Sequence, residues 1–286
     1  MKRVIIVLLL IGVCGSMGGL RSMESEEVPP KKVMIDISHS LKTANPGVNM
    51  VVISKLMVEF SFDVRNEMLT EDLVEQYDVV MLYQPHGLLE DSEIGALTTY
   101  VENGGGLIIC GEHDAGWNDS SRSTYSKLAS TFGIIFTSNS VDDPTHKAGC
   151  YCTPILHNMA EHPLSEGVTQ IILFKPCALR ISGDAVAIAR GDEDTRTVGA
   201  EGIEGEDVIV VAVSEYGNGR VVVVGSYTVF DDSYINMPDN QVFAVNCFTW
   251  ASEPTVLPEE GFDYTMVAAV GIIFGVLVLI IAFKKR

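Results

Sequence analysis

Three histidines stand where a chain of alternating strands and helices does its chemistry. His39 follows the apolar stretch Val33–Ser38, His86 follows Asp78–Gln84, and His113 follows Leu107–Cys110. Asp36, Glu112 and Asp114 lie beside them. In an open parallel sheet, ligands bind beyond the carboxyl ends of the strands. Half of the six histidines therefore fall on one predicted edge. Imidazoles joined by a carboxylate form a ligand set for a divalent metal, with His39, His86 and His113 as the metal candidates. With Asp36 and Glu112, the same groups could hydrogen-bond a sugar or peptide, or act as acid and base. The plainer alternative is that each histidine caps its own loop. Asp36 could also face into the sheet, since strand alternation sets its side. No cofactor is required by the sequence; a divalent metal is the one it leaves open.

Other reactive residues carry weaker signals. Besides Cys14 there are Cys110, Cys150, Cys152, Cys177 and Cys247. An odd count outside the cell leaves at least one free thiol. Cys150 and Cys152 are one residue apart and match no zinc-ribbon spacing; a bridge from this pair to Cys177 is one pairing the sequence allows. Cys110 and Cys247 sit in apolar runs and read as small buried hydrophobes. Asn118-Asp119-Ser120 is an N-glycosylation sequon on a predicted external loop. His146, in the polar loop Asp142–Lys147, reads as solvent-facing, and His162-Pro163 as a turn former.

The elements that would position these residues alternate. Val33–Ser38, Asp78–Gln84 and Leu107–Cys110 read as strands, the second and third apolar enough for the inside of a parallel sheet. Val48–Phe60 has helical spacing. Asp91-Ser92-Glu93 opens a helix that Gly104-Gly105-Gly106 stops. Ser123–Phe132 is a helix, followed by a strand at Ile134–Thr137. Such alternation predicts an α/β fold, a doubly wound and mainly parallel sheet of flavodoxin-like type with helices on both faces. The second half is richer in strand. Val208–Val213 and Val221–Val224 flank Tyr216-Gly217-Asn218-Gly219 and read as an added β-hairpin. Asn240–Ala251 is a final helix.

Both ends point to export. Lys2 and Arg3 precede the apolar run Val4–Val13 and then small residues, the pattern of a signal peptide. Between Asp263 and Lys284 no residue is charged. At 1.5 Å per residue, a helix over Tyr264–Phe283 spans ~30 Å, the hydrocarbon thickness. Lys284, Lys285 and Arg286 follow, and such clusters stay on the cytoplasmic side. The expected organisation is a signal peptide (1–22), a linker (23–31), an α/β ectodomain (32–252), an acidic stalk (253–263), one transmembrane helix (264–283) and a cytoplasmic tail (284–286). Five of the 19 basic residues lie in the terminal segments, leaving 14 against 38 acidic residues, a net charge of −24. Such a surface repels nucleic acid and suits cations or a basic partner.

Three stretches together carry a resemblance. They are Asp36-Ile37-Ser38-His39; the run from Tyr77 to Glu112; and the series His162–Val168, Tyr216–Ser226 and Asp239-Asn240 leading to Asn246 and Trp250. In this order they resemble the class I glutamine amidotransferase-like superfamily, in the branch shared by gliding-motility and intraflagellar-transport proteins (the GIFT domain) and membrane-anchored prokaryotic relatives. The resemblance covers about residues 32 to 252 and implies an amidotransferase-like fold. Active glutaminases of the superfamily use a Cys on a tight strand-to-helix elbow with a His–Glu pair. Cys110 precedes Gly111, but Ile108 and Glu112 stand where the elbow expects Gly. The candidate partners His162 and Glu166 come before strands that should precede them. Relatives place an acidic residue after the glycine equivalent to Gly225; here it is Ser226, with Asp231-Asp232 either substituting or forming a solvated loop.

The expectation is thus a non-catalytic binding or scaffold module at the cell surface, its partner an envelope protein, a transporter or a surface glycan. The alternatives are a metal-assisted ectohydrolase using the histidine-lined edge, and a subunit of an envelope transport or motility complex.

Overall fold

The central apolar runs lack a polar face because the sheet they form is covered on both sides. The computed structural model describes residues 29–40, 50–112, 116–199 and 202–255. In chain order the first half runs β1 (Lys31–Asp36), α1 (Val51–Leu56), β2 (Phe60–Arg65), α2 (Glu71–Val74), β3 (Val79–Leu82), α3 (Asp91–Glu102), β4 (Gly106–Cys110), α4 (Asp119–Thr131), β5 (Ile134–Phe136) and β6 (Asn139–Asp142). There follow β7 (Ile155–Leu156), β8 (Asn158–Met159), β9 (Ile171–Ile172), β10 (Leu179–Ile181), β11 (Val186–Arg190), β12 (Arg196–Gly199), β13 (Ile209–Tyr216), β14 (Gly219–Val224) and α5 (Asn240–Ala251).

The main sheet has the order β2-β1-β3-β4-β14-β13-β10-β5, with β11 and β8 branching from β13. The pairs from β2 through β14 are parallel, and those beyond are antiparallel. This is mixed α/β architecture with a largely parallel centre. Alternate residues of each central strand enter two separate cores. Val33, Ile35, Val79, Met81, Ile108 and Val222 pack with α1 and α5. Met34, Val80, Leu82, Leu107, Ile109 and Val221 pack with α3 and α4. All four residues of β3 are buried. The covering helices α3 and α5 and the β13–β14 hairpin fall where the sequence places them; the hairpin closes at Tyr216↔Gly219.

Two expectations change, and one ribbon is new. The helical spacing of Val48–Phe60 ends early: Met57 caps α1 and Phe60 begins an edge strand. Phe60, Phe62 and Val64 then alternate along β2, and Phe62 packs edge-on against Phe248 of α5 at 5.5 Å. The strand after α4 is antiparallel to β10 rather than part of the parallel set. Residues 139–142 and 196–199 form a separate two-stranded ribbon, β6–β12, that the sequence does not announce.

The signal-peptide segment and the Tyr264–Phe283 run lie outside the described residues. Among the described residues, no helix is long and apolar enough to cross a membrane.

Candidate functional site

The predicted strand-end edge exists, and His39 is at its centre. Asp36 ends β1 and is 1% exposed. Its Oδ1 accepts from the Ser38 amide (2.9 Å) and hydroxyl (2.6 Å), which folds the chain back at once. Its Oδ2 lies 2.8 Å from His39 Nδ1. His39 Nε2 lies 3.1 Å from Glu93 Oε2 in the first turn of α3. Glu93 is also buried, and its oxygens accept from the Leu69 amide (3.0 Å) and the Glu90 amide (2.9 Å). The second of these belongs to a capping box.

Burial alone would lower the His39 pKa; the Asp36 and Glu93 carboxylates outweigh it and raise the pKa above 6.5. When protonated, the ring donates from both nitrogens. His39 therefore ties β1 to α3, with a carboxylate on each ring nitrogen. Among the described residues, no group of three metal-type ligands gathers at this edge. His113 lies outside the described residues, as does Asp114.

His86 joins the same network through its backbone. Its amide donates to His39 O at 2.8 Å, and the Gly87 amide does so at 2.6 Å. A Cβ on Gly87 would sit 3.0 Å from His39 Cα, so glycine is what lets the loop after β3 approach the loop after β1. The His86 carbonyl accepts from Ser121 Oγ and, at 3.4 Å, from Asn118 Nδ2. Asn118 is exposed and caps α4, accepting from the Ser121 amide at 2.9 Å. Its Nδ2, where a glycan would be attached, is thus also a loop anchor.

The elbow position is closed. Cys110 has no exposed surface; burial, followed by the Glu112 carboxylate, pushes its thiol well above the ordinary range. A thiolate is the nucleophilic form, so this environment opposes it. Among the described non-glycine residues only Gln84, Lys175 and Asp239 have positive φ. Cys110 itself therefore lacks the strained, positive-φ backbone of a nucleophile elbow. His162 caps a short 3₁₀ turn, as its His-Pro pair suggested, and packs on Trp250 at 5.0 Å. Burial and Arg220 lower its pKa. Arg220 pairs with Gly106 at the start of β4, whereas Val224 pairs with Cys110 at its end. Four residues at ~3.3 Å each separate these edges by about 13 Å, so His162 and Cys110 belong to opposite ends of the sheet.

Glu112 is buried just beyond β4. Burial and then its carboxylate push Tyr227 up to about 12 and the Cys177 thiol up to about 12. Cys150 and Cys152 are bridged to each other. Cys177 is a buried free thiol whose Sγ donates to Gly225 O at 3.3 Å, so the bridge to Cys177 is corrected. The Asp231-Asp232 pair is likewise no solvated loop. Asp231 is 8% exposed and accepts from Tyr83 Oη at 2.8 Å, and Asp232 accepts from the Val51 (3.2 Å) and Val52 (2.9 Å) amides opening α1. Glu93 is the member of the network that sequence reasoning missed. Its only local signal is the capping-box spacing from Glu90.

No family model matches the chain, and no curated protein sequence matches it. Solved structures do. The mmIFT52 N-terminal domain is 15% identical with a TM-score of 0.63, covering 79% of this chain and 100% of that one. Cytoplasmic Protein STM3548 from Salmonella typhimurium is 14% identical with a TM-score of 0.55, covering 78% and 99%. Cytoplasmic Protein STM1381 from Salmonella typhimurium LT2 is 13% identical with a TM-score of 0.54, covering 77% and 99%. At such identities the likeness is one of fold. It agrees at that level with the amidotransferase-like, GIFT-branch resemblance carried by the motifs.

Proposed function

We propose that this chain is a non-catalytic binding or scaffold module, held at the cell surface by its C-terminal helix, with an envelope protein, transporter or surface glycan as partner. One observation carries the reading: the position where an amidotransferase-like fold keeps its nucleophile holds a fully buried thiol, Cys110, with its pKa pushed up. The neighbouring ionisable residues are spent on structure, with Asp36, His39 and Glu93 tying β1 to α3. The uncharged run Tyr264–Phe283 and its basic tail support the anchor, and the acidic surface favours a basic or cation-bridged partner.

Thiol mapping tests the absence of the nucleophile. Full-length protein treated with an electrophilic glutamine analogue at neutral pH should carry no adduct on Cys110 unless it is first denatured. A Cys110 adduct on native protein, with glutamine hydrolysis abolished by Cys110→Ser, would overturn the proposal. Cross-linking in intact cells, followed by capture of the anchored chain, identifies the partner. Fractionation that leaves the full chain out of the membrane would remove the anchoring part.

A further inference from the structure

The second histidine cluster lies far from the strand-end network in sequence, and two strand pairings build it. β8 pairs with β11, with Asn158 opposite Arg190, and places His157 next to the turn after β11. β12 pairs with β6 and places the loop after β6, with His146, on the other side of that turn. The turn itself, Gly191–Thr195, carries Asp192. A Cβ on Gly191 would meet Thr195 Cβ at 2.6 Å, so the turn closes this tightly only with glycine there.

Hydrogen bonds brace one side of the Asp192 carboxylate. Asp192 Oδ1 accepts from the Thr195 amide (3.2 Å) and lies 2.9 Å from its hydroxyl, whose one proton it shares with Asp143. The same hydroxyl reaches Asp143 Oδ2 at 2.9 Å, and Asp143 Oδ1 accepts from the His146 amide at 2.6 Å. His157 Nδ1 lies 3.4 Å from Ile155 O, which leaves Nε2 to face Asp192. Asp192 Oδ2, in contrast, is shut off from solvent and makes no well-aligned hydrogen bond. It faces His146 Nδ1 at 2.5 Å and His157 Nε2 at 3.8 Å. Ligand atoms of the three residues all lie within 4.8 Å of one another. A tetrahedral ion with bonds near 2.1 Å sets its ligands about 3.4 Å apart, between those two separations.

We infer that His146, His157 and Asp192 form a binding site for a divalent transition ion of the zinc class, open to solvent at its remaining position. Two imidazoles and one carboxylate select such ions over calcium or magnesium, which take oxygen ligands. The carbonyl behind His157 is the kind of partner that orients a ligating ring. Imidazole ligates in its neutral form, so protons compete with the ion for this site. Glu193 and Glu206 line the same hollow and add negative potential that attracts a cation.

The test is calorimetric titration of the full-length chain, free of any polyhistidine tag and stripped with chelator, with Zn2+ and, separately, Ca2+. One equivalent of Zn2+ should bind and raise the Tm, persisting in added salt, while Ca2+ gives no saturable heat. His146→Ala and His157→Ala, both at exposed rings, should each weaken binding by at least the roughly 10–100-fold that the loss of a mere outer-shell partner costs. Co2+ should give the visible band of a four-coordinate site in the parent chain and none in either variant. Three results would overturn the site: no saturable Zn2+ binding, undiminished binding in the double variant, or Zn2+ heat that disappears with salt. The last would mean diffuse attraction to an acidic surface.

Discussion

Replacing His39 by Ala isolates the clamp between β1 and α3. The change removes two hydrogen bonds to buried carboxylates, at 2.8 Å to Asp36 and 3.1 Å to Glu93. Bonds to charged groups contribute about 1.5–3 kcal/mol each. Each carboxylate keeps two other donors, Ser38 N and Oγ for Asp36 and the Leu69 and Glu90 amides for Glu93. That compensation favours the low end, about 3 kcal/mol in total. For a domain of this size 1 kcal/mol moves Tm by about 2–4 °C, so Tm should fall by about 6–12 °C. The pH dependence has a definite sign. The folded pKa of His39 lies above the 6.5 of the unfolded chain. Its contribution is therefore fully present below pH 6.5 and is lost as pH rises through the folded pKa. Urea melts of the full chain across this range, read by the buried Trp117 and Trp250, should show the parent–variant gap widest on the acid side. A gap below about 1 kcal/mol at pH 6, or one that widens towards alkaline pH, would refute the clamp.

Two further outcomes test the packing. Phe248→Ala removes a ring packed edge-on against Phe62 and Phe230, at 5.5 and 5.7 Å, and should cost about 3–5 kcal/mol in denaturant melts. A loss under 1 kcal/mol would contradict the placement of β2 against α5. Tyr83→Phe leaves Asp231 without the 2.8 Å donor it has in the core and should cost about 1–3 kcal/mol; an unchanged melting curve would count against that bond.

What could be read from the chain alone is what local pattern encodes. The continuous apolar runs at β3 and β4 specify strands buried on both faces, because no alternation leaves room for a solvated side. Asp91-Ser92-Glu93 and the glycines after Asn103 bound α3, and the apolar stretch from Asn240 gives α5 to the residue. The edge strand β2 escaped detection because its alternation continues the helical spacing of the residues before it. The direction of β5 was undetermined because a short apolar run carries no information about which neighbour it pairs with.

The sites divide in the same way. Sequence put His39, His86, Asp36 and Glu112 at one sheet edge, since strand ends are local features. It could not supply Glu93, 54 residues beyond His39, the carboxylate that holds the second ring nitrogen. Nor could it join His146 and His157 to Asp192. Those three meet only because two separate antiparallel pairings converge on one five-residue turn. The sequence by itself determined the layered fold and an edge rich in ionisable groups. The tertiary structure decided which of those groups are paired and buried, because the energy of a charge depends on what the rest of the chain places around it.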